Sequence, residues 1–336
     1  MNVWVYKCRI KWVVVAILAG LVLLVVAVYS TGTVPASPPL PNPNGYTDFV
    51  QAGEAIQGSP GDSPTLDQAG LRALISTNAE PLRQLRLGLT RQCYLPMDSN
   101  FTNAGMAQLA LMKRSAQLLA AEGRLREMEN HPGEAARSYA DAIRFGNELS
   151  RGGPLITHLV GIACEAIGYA SLSKLVPQLS PGDARTLAAE LESVDGSRIT
   201  WPEVLRNEQH YCHLQKMTPA RHPVLWAMSW WQSRAAFARA ELKHQTVVAH
   251  ERLLIAELAL RGFRAEQGQA PDRLDELTNH YVARVPLDPF AMQPLLYRAQ
   301  GTNWLLYSVG ADGVDDGGKR AGKGVSAKGD LFYDSP

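Results

Sequence analysis

The chain has 336 residues, of which 33 are Lys or Arg and 32 are Asp or Glu, so its formal net charge is +1. The length exceeds one typical domain and predicts two folded units plus an anchor. Because the charges nearly cancel and no basic stripe follows the first dozen residues, the sequence offers no electrostatic basis for a nucleic-acid partner.

The first predicted element is an apolar segment, residues 12–29, with the sequence WVVVAILAGLVLLVVAVY and no charge. As a helix it would rise about 27 Å, roughly the thickness of the hydrocarbon core of a bilayer. Three basic residues precede it within residues 1–11, and by the positive-inside rule this end is cytoplasmic. We therefore expect a single-pass protein of the inner (cytoplasmic) membrane whose bulk is periplasmic or otherwise extracytoplasmic. A signal peptide cleaved after Ala36 is the alternative.

The segment after the apolar run, residues 30–67, is rich in Pro, Gly and Ser. Such a composition predicts an extended linker that lifts the body away from the membrane. Three cysteines follow the anchor, Cys93, Cys164 and Cys212, and their spacing matches no metal-binding pattern. One disulfide among the three is compatible with the sequence, which does not choose the pair.

Residues 68–245 predict an irregular α-helical bundle, because apolar residues recur at helical spacing in Ala- and Leu-rich stretches. Ser180 before a proline is a typical N-cap. The stretch PLITHLVGIACEAIGYASLSKLV, residues 154–176, is long enough for a second membrane span. Its central His158 and Glu165 are costly in lipid, which favours a buried helix of the bundle.

Within this bundle, residues 119–149 resemble a single tetratricopeptide repeat. Gly123, Ala135, Tyr139 and Ala142 stand at the spacing that this family uses for small and aromatic packing positions. No second copy follows at a period of about 34 residues, and an array needs about three units to bury its core. The resemblance implies one helical hairpin, with a groove for a protein or peptide partner on the helical domain.

The last part of the chain, residues 246–336, carries an ordered set of motifs. An A-x-x-x-F-x-x-x-x-G pattern leads to a proline and then to a P-x-D-P-F turn. The runs PLLYRA and NWLLYSV, joined by Gly301, predict a β-hairpin. An S-x-G-x-D-G loop follows, and the chain then closes on an Asp-Leu pair. In this order the motifs resemble the globular part of the major pseudopilin of type II secretion. The matching residues are Ala259, Phe263, Gly268, Pro271, Leu274, Leu277, Pro286, Asp288, Pro289, Phe290, Tyr297, Ser308, Gly310, Asp312, Gly313, Asp330 and Leu331.

This resemblance implies a small α+β unit with short antiparallel strands and a structural or docking role. The N-terminus departs from the family, because the apolar segment has neither the early glutamate nor the leader site of a pseudopilin. Roughly 200 residues also separate that segment from the pseudopilin-like unit. The chain therefore resembles a carrier of a borrowed module rather than a standard pilus subunit.

In the pseudopilin family the last loop binds calcium, an ion that takes about six to eight oxygen ligands. The resemblance implies Asp312 and Asp330 as ligands, joined by Ser308. A basic residue stands where the family often has a further acid, and Asp315 or Asp316 would replace that acid. The other interpretation is a surface turn whose aspartates only cap backbone amides.

The predicted fold class is therefore mainly α, with an N-terminal transmembrane helix, an irregular helical bundle and a small α+β C-terminal unit. The predicted function is a membrane-tethered, non-enzymatic role related to the envelope or to type II secretion-like machinery. The alternative is an envelope enzyme with its site in the bundle around His158, Glu165 and Glu208. The sequence contains no nucleophile elbow, phosphate loop or dinucleotide fingerprint, which favours the non-enzymatic role.

Overall fold

The computed structural model describes residues 39–97, 101–215, 223–322, 324 and 326–335. The predicted transmembrane segment, residues 12–29, lies outside the described residues. The described part of the chain is mainly helical, with one small antiparallel sheet of two strands, as the sequence predicts.

The elements follow one another in a simple order, helices first and strands last. The helices are α1 (Gly45–Ala55), α2 (Gln68–Thr77), α3 (Ala79–Leu89), α4 (Phe101–Met128), α5 (Pro132–Leu149), α6 (Leu155–Leu175), α7 (Pro181–Gly196), α8 (Trp201–Leu214) and α9 (Pro223–Gln267). Short 3-10 turns occupy Pro60–Thr65, Val176–Gln178 and Leu274–Leu277. The strands are β1 (Leu296–Gln300) and β2 (Asn303–Tyr307).

Helix α1 corrects the predicted linker over residues 30–67, because it lies inside that range. The Asn44 side chain caps the helix by accepting a hydrogen bond from Tyr46 N at 3.1 Å. Phe49 is fully buried and meets Phe145 of α5 edge-on, with ring centroids 4.7 Å apart. The linker prediction followed composition, whereas the cap and the buried aromatic ring make this short segment part of the core.

Helices α4, α5 and α6 lie side by side and form the middle of the bundle. The hairpin predicted within residues 119–149 is present as the end of α4 and the whole of α5. A methyl group added at Gly123 would lie 2.5 Å from the Tyr139 ring, so the small residue makes room for the aromatic one. Helices α5 and α6 also approach closely, because a methyl group added at Gly161 would lie 2.5 Å from the Gly146 carbonyl oxygen.

Helix α6 belongs to the longest apolar helical stretch in the described part of the chain. By length and composition alone, Leu155–Gln178 is able to cross a membrane. His158 and Glu165, which lie within the apolar run, are 1% and 2% exposed and pack against neighbouring helices. This burial is the arrangement that the sequence predicts for a bundle helix.

Helix α9 passes through the predicted boundary between residues 245 and 246. One hydrophobic cluster around it contains Tyr139 of α5, Leu172 of α6, Leu187 of α7 and Leu306 of β2. The helical body and the C-terminal unit therefore share a core along this helix. The β1–β2 hairpin turns at Gly301, as predicted, with a φ of 65° that suits glycine.

Candidate functional site

The C-terminal loop is positioned first by Asp288, the carboxylate of the P-x-D-P-F turn. Asp288 is 1% exposed. Its Oδ1 accepts a hydrogen bond from Phe290 N at 2.9 Å, and its Oδ2 accepts one from Val309 N at 2.8 Å. The second bond joins the turn to the chain just after β2, so Asp288 fixes where the S-x-G-x-D-G loop begins.

The far end of the loop is held by Asp330. Ser308 and Leu331 exchange two backbone hydrogen bonds of 2.9 Å, which brings the loop's two ends together. The buried Asp330 carboxylate accepts hydrogen bonds from Gly318 N at 2.7 Å and Asp316 N at 3.4 Å. Burial raises the pKa of Asp330, and these two amides partly oppose the increase.

Two further carboxylates of the loop, those of Asp312 and Asp315, also accept hydrogen bonds from nearby groups. Asp312 Oδ2 accepts a bond from Gly329 N at 3.3 Å, across 17 positions of sequence. Asp315 Oδ1 accepts bonds from Gly317 N at 2.8 Å and from the Tyr307 hydroxyl at 2.9 Å. These donors lower the pKa of Asp315. The loop is thus closed by carboxylates that accept hydrogen bonds from both of its limbs.

The structure therefore brings the residues predicted from the resemblance to one loop. Ser308 Oγ accepts a hydrogen bond from Gly310 N at 3.2 Å, while Asp316 contributes its backbone N–H rather than its carboxylate. Within the described residues, no group of three His, Cys, Asp or Glu side chains is arranged to hold a metal ion. The observed bonds are those of an amide-capped turn, and calcium binding stays a prediction.

The second set of candidates, in the helical bundle, is divided among separate contacts. His158 Nδ1 lies 3.0 Å from Ser150 Oγ, and His158 Nε2 lies 3.2 Å from His244 Nδ1. Glu208 Oε2 accepts a hydrogen bond from Leu155 N at 2.7 Å, at the start of α6. Glu165 forms an ion pair elsewhere. No hydrogen bond or ion pair in the described part of the chain joins His158, Glu165 and Glu208 to one another.

Glu165 is one member of a buried ion cluster, here called the Arg198 triad, that consists of Glu165, Arg198 and Glu251. Arg198 holds Glu165 with two parallel bonds of 3.1 and 2.9 Å and also bonds to Glu251 Oε2. The three side chains are at most 5% exposed. Burial opposes the charge on Arg198, but the two carboxylates outweigh it and raise the pKa of the guanidinium. No local pattern in the sequence indicates this cluster, because the carboxylates lie 33 and 53 residues from Arg198.

Beside the triad, the two histidines are neutral. Burial lowers the pKa of His158 to about 3 and that of His244 to about 4, and each also faces positive charge or the other ring. If Ser150 donates to the Gly146 carbonyl oxygen, at 3.5 Å, it accepts from His158 Nδ1. His158 Nε2 then accepts from His244 Nδ1. This chain of bonds uses both ring nitrogens of His158 and leaves neither for a substrate.

The described cysteines provide no reactive thiol. Cys93, Cys164 and Cys212 are all free, so none forms the disulfide that the sequence allowed. Burial raises the pKa of Cys164 to about 12 and that of Cys212 to about 11, which keeps both as thiols near neutral pH.

A small cavity of about 170 Å³ lies between α9 and the C-terminal segment. Thr246 and His250 of α9 line one side, and mostly small residues such as Ala311 and Ala327 line the other. Ligand pockets usually span about 300–1,000 Å³. This cavity is therefore too small for a typical organic substrate.

We expect Arg198→Met to lower the free energy of unfolding by about 3–5 kcal/mol, because it leaves two buried carboxylates without their cation. The matched control is Arg206→Met, which removes an exposed arginine that is 3.9 Å from Glu203. Exposed pairs of this kind contribute about 0–1 kcal/mol. Denaturant unfolding of both variants measures the two losses, and equal losses would show that the triad is not a structural centre.

Comparisons of the chain with protein-family models, with curated proteins and with solved structures found no match.

Proposed function

We propose that this chain is a membrane-tethered, extracytoplasmic, non-enzymatic protein whose C-terminal unit docks to, or forms part of, envelope or type II secretion-like machinery. The observation that carries the proposal is the closure of the C-terminal loop. Asp288, Ser308, Asp312 and Asp330, which the pseudopilin resemblance singles out, form the hydrogen bonds that join the turn, the hairpin and the chain end.

The loop offers a docking surface because its tip is exposed while its base is fixed. Residues 312–317 are all exposed, and Val314 among them is 53% exposed. An apolar side chain among aspartates, on a loop held at both ends, is a rigid contact point that a partner can bind without ordering the loop first. Under this proposal the partner is an envelope protein with a complementary basic and apolar surface.

The tether is the apolar segment, residues 12–29, with its basic N-terminal flank. Such a segment, inserted with that flank in the cytoplasm, carries the helical body and the C-terminal loop to the other side of the membrane. The first described helix, α1, begins at Gly45, so residues 30–44 connect this segment to the helical body.

The buried contacts in the bundle favour this role over the envelope enzyme. A general acid or base must reach its substrate within hydrogen-bond distance. His158 and Glu165 are instead buried, and each is bonded to other protein side chains. The contacts of the three candidates position helices α6, α8 and α9 against one another.

To test the docking role, a membrane-impermeant crosslinker is added to intact spheroplasts, and the chain is then purified with its attached partners. We expect the wild type to capture envelope proteins of secretion-type machinery, and Val314→Lys to lose them because a charge replaces the exposed apolar contact. The matched control is Met292→Lys, at an apolar residue that is 68% exposed outside the loop. Equal capture by both variants, or no crosslinking from outside, would contradict the proposal.

We also propose that the loop binds calcium through Asp312 and Asp330, with Ser308 and Asp315 or Asp316 supplying further oxygens. The support is that the two limbs of the loop come together near these acids. Asp312 accepts a hydrogen bond from Gly329 N, and Gly329 directly precedes Asp330. Clustered carboxylates repel one another, and a cation would relieve that repulsion.

If calcium binds, it should stabilise the folded chain by about 1.4 kcal/mol at ten times its dissociation constant. Thermal unfolding of the full chain in detergent, with millimolar calcium or with chelator, measures this effect. The double variant Asp312→Ala with Asp330→Ala is the control and should show no calcium response. An unchanged midpoint in the wild type would leave the loop as an amide-capped turn.

A further inference from the structure

The Arg198 triad has an unbalanced charge. Two carboxylates, Glu165 and Glu251, face one guanidinium, and the three side chains are almost completely buried. Two atoms of the triad, Glu251 Oε1 and Arg198 Nε, are buried without a hydrogen-bond partner in the described residues. An excess negative charge in a dry interior is costly, and binding one proton removes it.

Among the described residues, the groups that interact electrostatically with the triad do not supply a second cation for that charge. They are His158, Cys164 and Tyr169 on α6, Asp195 at the end of α7, and His244 and Arg252 on α9. Arg252 donates two hydrogen bonds of 3.1 Å to Asp195, so its positive charge is balanced by that carboxylate rather than by the triad. Burial raises the pKa of Glu251 from 4.5 to about 7, and the charges of Glu165 and Asp195 raise it against the opposing effect of Arg198. The proton therefore belongs on Glu251.

A second contact connects this region to the C-terminal segment. Tyr169 lies one helical turn beyond Glu165 on α6. Its hydroxyl is within hydrogen-bond distance of the carbonyl oxygens of His250, at 3.2 Å, and of Tyr333. Because His250 precedes Glu251, a shift of α9 at the triad also moves one partner of Tyr169. The contact between the chain end and α6, made by Tyr169 and Tyr333, thus depends on how closely α6 and α9 pack.

We propose that the Arg198 triad is a proton-dependent clip: one proton on Glu251 holds α6 against α9, and release of that proton to solvent loosens the contact of residues 330–334 with α6. The clip stands on the buried charge imbalance and on the Tyr169 bridge, and it is independent of the docking role. It makes the attachment of the C-terminal segment sensitive to the pH of the surrounding solution.

The direction of the effect follows from proton linkage. The folded chain holds a proton on Glu251 that the unfolded chain has released above pH 4.5, so stability falls as pH rises from about 4.5 through about 7. His158, His244 and His250 have lowered pKa values and act in the opposite direction, losing stability as pH falls below about 6.5. Comparing the wild type with a variant changed only at Glu251 removes the histidine contribution, because both proteins contain the same histidines.

The test is denaturant unfolding of the full chain in detergent at pH 6, 7 and 8, with Glu251→Gln as the main variant. Because glutamine cannot release a proton, the folding equilibrium constant of the wild type relative to this variant should fall by about tenfold between pH 6 and pH 8. Glu165→Gln removes the excess negative charge at the other carboxylate, so it should show the same loss of pH dependence. This second variant keeps the test valid if Glu251→Gln does not fold.

The matched control is Glu257→Gln, the same change on the same helix. Glu257 is also buried, but one oxygen bonds to Arg261 at 2.7 Å and the other to Trp304 Nε1 at 2.8 Å. Its effect relative to the wild type should stay constant with pH. A wild type that keeps a constant stability relative to both triad variants from pH 6 to pH 8 would overturn the clip.

Hydrogen exchange at the amide of Leu331, which bonds to Ser308 O at 2.9 Å, tests the connection to the chain end. After correction for the intrinsic pH dependence, we expect faster exchange at pH 8 than at pH 6 in the wild type and no such change in Glu251→Gln. Equal protection in the wild type at both pH values would overturn the loosening of the chain end.

Discussion

Helix α9 has no solvent-facing side over residues 253–260, and the rest of the structure is arranged to cover it. Every residue in that stretch is buried, over more than two helical turns. Helix α7 packs on it, and the β1–β2 hairpin also contacts it. Each large apolar side chain buried in this way contributes about 1.5–3 kcal/mol, so removing the cover from α9 would expose a large share of the core. The C-terminal unit is therefore a structural part of the body.

The burial of α9 also explains why its charged residues form ion pairs. Glu251 and Glu257 are buried and Arg252 is half-buried, and they form ion pairs with Arg198, Arg261 and Asp195 respectively. Polar groups that looked like catalytic candidates are used in the same way, to join helices. This is why the interior favours a structural role over catalysis, and why we propose the exposed C-terminal loop as the surface for a partner.

Local signals in the sequence predicted much of this fold, and long-range pairings could not be predicted. Ser180 caps α7 and Gly301 turns the hairpin, because both roles are set by a few neighbouring residues. Helix α1 was missed because a proline-rich run precedes it and its anchor, Phe49, is buried by the distant Phe145. The Arg198 triad was missed for the same reason, since only the packed helices bring its members together. The sequence indicates the acids of the C-terminal loop. It does not distinguish amide capping from calcium binding, because both roles require the same residues.

The central claim is that the helical body and the C-terminal unit form one cooperative core around α9. Differential scanning calorimetry of the full chain in detergent at pH 6 tests this claim most directly. The account predicts one unfolding transition in which the calorimetric and van't Hoff enthalpies agree. Two resolved transitions, with the C-terminal unit unfolding separately from the helices, would contradict it.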